Sequence, residues 1–383
     1  MVSSHGLDSE PWSPLLPRAP PNESPLEAAQ RILRHAPVID THNDWPGKLN
    51  WILNSKLHDK SLVNLPPSQF HTDITRIRAG NLGVQFWSAY VGCAEYTKQT
   101  NAVQETLNQI DLIKRLVAKY PNEFAFARTV ADIRAAARKG KVASLIGIEG
   151  GHQIDGSMGV LRQYFELGVR YMTLTHSCHT AWADSCSLPP IHNGISSEGH
   201  RFIREMNRLG MMIDISHVSA DAMRQSIEAS KAPVIFSHSS AYSVTPVPRN
   251  VPDDVLRMLK DKDGVVMINF MKAYTYTNET TKMRCLGTWE HMSHIKKVVG
   301  AQYIGIGADF DGSGIDDFAL KDVSKYPELV VELLRRKFTE QEIIGITGSN
   351  LLRVMEKVEK VAAKMQKDDE KLEEVGIIVE KTC

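Results

Sequence analysis

The sequence predicts a single α/β domain, a (β/α)8 barrel of the TIM type with a C-terminal helical extension. Three observations carry this reading. Eight short apolar runs recur with enough chain between them for crossover helices. Their hydrophobicity is nearly continuous rather than alternating, as suits parallel strands covered by helices on the outside. Polar residues able to bind metal stand at the ends of several runs, on the face where barrel active sites form.

In order, the predicted strands are Val38 to Thr41, Val84 to Val91, Val142 to Ile148, Val169 to Thr175, Met211 to Ile215, Pro233 to Ser237, Gly264 to Phe270 and Tyr303 to Gly307. Between the second and third, Asn101 to Tyr120 sets Val103, Leu107, Ile110, Leu116 and Val117 near one helical face before Pro121 stops it. The pairs Gly83-Val84, Gly168-Val169, Gly210-Met211 and Gly264-Val265 read as points where a helix ends and the chain turns into the sheet. An open doubly wound sheet is the rival, but no GxGxxG turn follows the first strand. After the last strand, Glu340 to Lys364 reads as helical, with Gly345 to Asn350 expected to turn the chain and cap a helix from Leu351. Residues 1–26 read as a flexible leader, 27–366 as the barrel and 367–383 as a charged tail.

Of the 383 residues, 42% are hydrophobic and 23% charged, so a large core can be buried. Lys plus Arg equals Asp plus Glu at 45 each, which argues against a nucleic-acid binder and for a small ligand. The leader lacks the apolar core of a secretory signal and the tail is too charged for an anchor, so a cytoplasmic protein is expected. A homodimer is left open. Cys93, Cys178, Cys186, Cys285 and Cys383 include no CxxC pair, and reduced thiols are the default reading. Asn22-Glu23-Ser24 and Asn278-Glu279-Thr280 match the glycosylation sequon, which matters only on a secretory route.

The chemistry gathers at strand ends. His42 and Asp44 follow the first run, and i, i+2 spacing in extended chain aims both to one side. Glu149 ends the third, a charge abruptly following a core run. His217 and His238 end the fifth and sixth. Each alone is as readily a hydrogen-bonded structural group. Together they offer the mixed nitrogen and oxygen donors that zinc accepts.

These residues lie in the segments IDTHNDWP, GIEGGHQID, TLTHSCHTAWADS, DISHVS, VIFSHSSAYSV, RNVPDD and GADFDG. In that order the segments closely resemble the membrane (renal) dipeptidase family, from about Pro37 to Asp311. The resemblance implies a zinc dipeptidase that cleaves dipeptides with a free C-terminal carboxylate. It implies two zinc ions per chain, one on His42 and Asp44, the other on His217 and His238, with Glu149 and a water or hydroxide bridging them. It further implies that His176, Arg249 and Asp309 handle substrate. His176 would stabilise negative charge on the carbonyl oxygen, Arg249 would fork onto the carboxylate, and Asp309 would relay a proton. Spacing alone does not separate Asp309 from Asp311. Arg249 also suits a helix-entry salt bridge.

Cys93 and Cys178 match a disulfide pair of extracellular members, while Thr245 stands where those members often carry another cysteine. His179 replaces a common asparagine, leaving a substrate-facing change or a surface substitution open. The narrower likeness is to intracellular fungal dipeptidases acting on glutathione-derived Cys-Gly conjugates in gliotoxin-class secondary metabolism. A deaminase, a lactonase or a noncatalytic peptide-binding barrel are the alternatives.

Overall fold

The computed structural model describes residues 10–13, 16, 18–93, 101–276, 287–312 and 320–374. Within them run nine parallel strands: β1 (Val38–Asn43), β2 (Leu82–Ala89), β3 (Phe124–Phe126), β4 (Val142–Ile148), β5 (Val169–Thr173), β6 (Met212–Asp214), β7 (Ile235–Phe236), β8 (Val265–Ile268) and β9 (Ile304–Ile306). Hydrogen bonding follows the order β2-β1-β9-β8-β7-β6-β5-β4, and β2 pairs with β4 from Val84↔Ala143 to Ala89↔Ile148. That last pairing closes the eight-stranded barrel. Every residue of β1, β2 and β4 is buried, the signature of strands covered on both faces.

The strand that sequence reading passed over is β3. It pairs with the first half of β4 at Phe124↔Val142 and Phe126↔Ser144, whereas β5 joins further along, from Ile146↔Val169. Three residues carry too little periodicity to announce a strand. β3 exists because it satisfies a stretch of β4 edge that β5 does not reach.

The predicted crossover helix spans Ala102–Lys119 and buries Ile110, Leu116 and Val117 as expected, but its first turns face the core differently. Leu107 is exposed, and Thr106, Gln109, Ile110 and Ile113 face inward. Thr106 is drawn in because its Oγ1 accepts a hydrogen bond from the buried Gln153 amide at 2.9 Å. Gly168 and Gly210 do end helices, with φ of 111° and 88° that disfavour any side chain. Gly83 instead lies inside β2, where a Cβ would sit 2.5 Å from Pro37.

The expected turn at Gly345 is absent. Helix Glu340–Ile344 continues through a π-helical turn, Gly345–Ser349, into helix Asn350–Lys367. Asn350 pins this junction to the barrel floor by donating to the carbonyls of Ala301 (2.9 Å) and Ile304 (2.8 Å). Two flanking segments are also anchored. Trp12, in the expected flexible leader, is buried and donates to the Pro37 carbonyl at 2.7 Å, against Gly348. Glu373, in the charged tail, is buried and pairs with Arg201 and Arg204. Among the described residues, no helix is long and apolar enough to cross a membrane.

Candidate metal centre

All eight singled-out side chains lie at or beyond the C-terminal ends of barrel strands: His42 and Asp44 at β1, Glu149 after β4, His176 after β5, His217 after β6, His238 and Arg249 after β7, Asp309 after β9. Closing the barrel brings them together. Oε1 of Glu149 lies 3.1 Å from His238 Nε2, 3.2 Å from His217 Nε2, 3.5 Å from His42 Nε2 and 3.7 Å from His176 Nε2. His42 Nε2 lies 3.2 Å from Asp44 Oδ2 and 3.9 Å from Asp309 Oδ1. Two groups of three donors, His42–Asp44–Glu149 and Glu149–His217–His238, share the one glutamate, and the ligand atoms within each group lie within 4.8 Å of one another.

Backbone conformation at the rim is unusual. His217, Asp309 and Asp311 adopt φ of 61°, 68° and 64°, the left-handed region that costs a non-glycine residue about 1–3 kcal/mol. At His217 and Asp309 this conformation accompanies side chains that reach Glu149 and His42.

Two hydroxyls choose the histidine tautomers, and neither was legible as a site residue in the sequence. Tyr171 donates to the Thr41 carbonyl (3.0 Å), so its oxygen accepts the Nδ1 proton of His42 at 2.9 Å. Ser237 donates to Asp214 (2.5 Å) and likewise accepts from His238 Nδ1 at 2.8 Å. In both rings Nε2 is left unprotonated, with its lone pair facing the Glu149 side, the arrangement that orients metal-binding histidines.

The donor chemistry fits a cation. His42 Nε2 and Asp44 Oδ1 are buried without a hydrogen-bond partner. Burial, with neighbouring Arg249 among the added causes, holds His217 and His238 well below the ordinary histidine pKa, in the neutral ligand form. Burial opposes charge on His42, yet Tyr171, Glu149 and Asp44 outweigh it and raise its pKa well above the ordinary value. The cluster demands a positive charge at Nε2, which a proton or a metal ion can provide. Burial, with Asp44 and Glu149 adding to it, also pushes Asp309 well above the usual carboxylate range; a nearby cation would act the other way.

Geometry separates the two aspartates that spacing could not. Asp309 faces His42, whereas Asp311 turns away: its Oδ1 accepts from His71 N and its own N donates to His71 Nδ1, both at 2.8 Å. Arg249 is buried and makes no ion pair among the described residues, so the helix-entry salt bridge is not its role. Its Nη2 donates to the His238 carbonyl and its Nη1 to Ser239, both at 2.5 Å, while Nε has no partner. Tyr274 packs under the guanidinium at 5.6 Å and Tyr90 meets the His176 ring at 5.0 Å; sequence reading missed both tyrosines. His179 braces its own loop, accepting from Ser185 N at 3.0 Å. Cys93 and Cys178 are joined by a disulfide, the pair the family resemblance implied, in place of the reduced thiols that spacing suggested. Asn278, Cys285 and Cys383 lie outside the described residues.

Histidines and carboxylates converging on the C-terminal rim of a parallel barrel define a metal-dependent hydrolase. The family is then specific. The family model of the membrane dipeptidases (peptidase family M19) matches residues 26–369, and the chain belongs to this family of metallo-dipeptidases. It is 40% identical over 363 residues to dipeptidase aclJ of Aspergillus oryzae, covering 93% of this chain and 85% of that protein. Solved structures share the fold. The Rhodobacter sphaeroides metallo peptidase, liganded with a phosphinate mimic of L-Ala-D-Ala, superposes with a TM-score of 0.73 at 22% identity, over 84% of this chain and 99% of that one. The probable dipeptidase PvdM of Pseudomonas aeruginosa gives 0.78 at 21% identity, over 88% and 99%.

Proposed function

We propose that the chain hydrolyses the peptide bond of dipeptides bearing a free C-terminal carboxylate, using two zinc ions that share Glu149. The observation that carries this reading is the pair of three-donor groups meeting at one buried carboxylate, with a buried arginine beside them. His42 and Asp44 would hold one ion, His217 and His238 the other. The chemistry such ions supply when bound is acidification of water and polarisation of a carbonyl.

The chain's own groups do the rest. Arg249 retains N–H groups beyond the two it spends on Ser239 and His238, and these bind the substrate carboxylate. That contact sets the length limit, because a longer peptide would place an amide where the carboxylate belongs. His176, mostly buried beside Glu149, donates toward the oxygen on which negative charge grows. Asp309, facing His42 across 3.9 Å, takes a proton from the attacking water and returns it to the departing amine. The likeness to a fungal dipeptidase supports a finer reading in which Cys-Gly units of glutathione-derived conjugates are the substrates.

Turnover of matched dipeptides, their C-terminal amides, tripeptides and lactones by zinc-reconstituted protein tests the reading. Hydrolysis confined to free dipeptides is expected. Arg249→Met should raise KM for free dipeptides by about 10- to 150-fold, the equivalent of roughly 1.5–3 kcal/mol for a charge-assisted contact, and leave metal content unchanged. Preference for amides or lactones would point to another hydrolase, and binding without turnover to a noncatalytic barrel.

A further inference from the structure

A second donor cluster stands on the same rim, outside the centre just described. Cys93 follows β2, His152 lies in the 3-10 turn Gly151–Ile154 after β4, and Cys178 follows β5. These three strands are neighbours in the barrel, and both sulfurs and an imidazole nitrogen lie within 4.8 Å of one another. The histidine contributes nothing evident to the disulfide. Its Nε2 faces the Val91 carbonyl at 2.8 Å and so carries the proton, which leaves the lone pair on Nδ1. That Nδ1 is buried and has no hydrogen-bond partner. Burial pushes the imidazole down to about 4, so the ring is neutral, the form in which histidine binds a metal.

We propose that Cys93, Cys178 and His152 form a redox-gated metal site that takes a borderline or soft cation, typified by Zn2+, once the disulfide is reduced. Two thiolates and one imidazole are a donor set zinc accepts, with a fourth position left for water. The chemistry balances with a dithiol as reductant. The dithiol gives two electrons and two protons to the Cys93–Cys178 bond, becomes a disulfide itself, and leaves two thiols. The cation then displaces both thiol protons and forms two sulfur bonds and one nitrogen bond.

In either redox state the loop after β2 stays tied to the loop after β5, by a covalent bond or by a coordinated ion. The tie matters to the reaction because Ser177, next to Cys178, bonds His176 Nδ1 at 2.9 Å. The site thus keeps His176 in place when the compartment turns reducing. Its donors differ from those of the Glu149 centre, which has no sulfur.

The test uses full-length zinc-reconstituted protein split into two halves. One is reduced with dithiothreitol and freed of it by anaerobic gel filtration, and both are equilibrated against the same zinc buffer. Elemental analysis should find one more zinc per chain in the reduced half. With Co2+ in place of zinc, the reduced half alone should gain a thiolate-to-cobalt charge-transfer band, which nitrogen and oxygen donors cannot give. His152→Gln leaves the disulfide intact and should weaken the extra site at least about tenfold. Cys93→Ser with Cys178→Ser should abolish the band. Equal zinc in the two halves overturns the proposal. So does a band undiminished in His152→Gln, or one that persists without Cys93 and Cys178 and therefore belongs to another cysteine.

Discussion

The half of the centre built on β1 and the half built on β6 and β7 use the same kind of pin beneath different donors. Under the first, buried Asp40 accepts from His42 N (3.0 Å), from Ala308 N beyond β9 (3.1 Å) and from Tyr326 OH (2.5 Å). Under the second, buried Asp214 accepts from Ser216 N (3.0 Å), from Ser237 N beyond β7 (2.8 Å) and from the hydroxyls of Ser237 and Thr173 (2.5 Å each). Each carboxylate fixes the backbone just before a ligand and ties it to a neighbouring strand. Above the pins the halves diverge. The β1 half offers an imidazole and a carboxylate, with Asp309 close by; the β6–β7 half offers two imidazoles, with the cationic Arg249 beside them. Apart from the shared Glu149, negative charge is concentrated on one side. A cation in the β6–β7 half is therefore held more by geometry than by charge, and should be the first to leave under a chelator.

Substituting the shared residue should erase the distinction altogether. Glu149→Gln removes the one carboxylate that both groups need, so zinc content should fall in both halves and dipeptide turnover should drop to background. Retention of two zinc ions by folded Glu149→Gln protein would show that the halves are independent sites.

Next in size is a change confined to one side and to chemistry rather than binding. Asp309→Asn should lower kcat by about 10²- to 10⁴-fold, the range for loss of a proton-transferring group, while melting temperature and zinc content stay close to those of the parent. Near-parental turnover with both ions present would remove Asp309 from the proton path. A drop in zinc alongside the loss of rate would make it a ligand, in keeping with its place near His42 and His238.

The smallest effects should be the most discriminating. Tyr171→Phe deletes the partner of His42 Nδ1, and Ser237→Ala deletes the partner of His238 Nδ1. Each should weaken metal binding by about 10- to 100-fold in its own half only. A competitive chelator titration followed by turnover would show two transitions, of which one shifts in each variant. If both transitions shift together in both variants, the two hydroxyls do not act on separate ions.

The sequence by itself determined where the chemistry would stand. A parallel strand buried on both faces needs a continuous apolar run, and the chain can become polar only where that run stops, so His42, Glu149, His217, His238 and Asp309 announced their positions by ending such runs. The barrel followed from the number of runs and the room between them. What only the tertiary structure decided were pairings between residues far apart in the chain. The closure of β2 on β4 and the Tyr171 contact to His42 span separations of up to 129 residues, and no local pattern encodes them; the Cys93–Cys178 bond was legible through the family resemblance but not from cysteine spacing. Short-range chemistry failed wherever a distant partner could overrule it. Leu107 lost its expected inward place to Thr106 because Gln153 needed a hydroxyl, and the glycines near 345 stayed helical because Asn350 found carbonyls on the barrel floor. Asp309 and Asp311, two residues apart and both at positive φ, were separated in the sequence by the family resemblance and not by spacing; the physical difference is what lies opposite each, His42 for one and His71 for the other. Side-chain roles in a barrel depend on which loops meet across the rim, and that meeting is fixed only when the last strand closes beside the first.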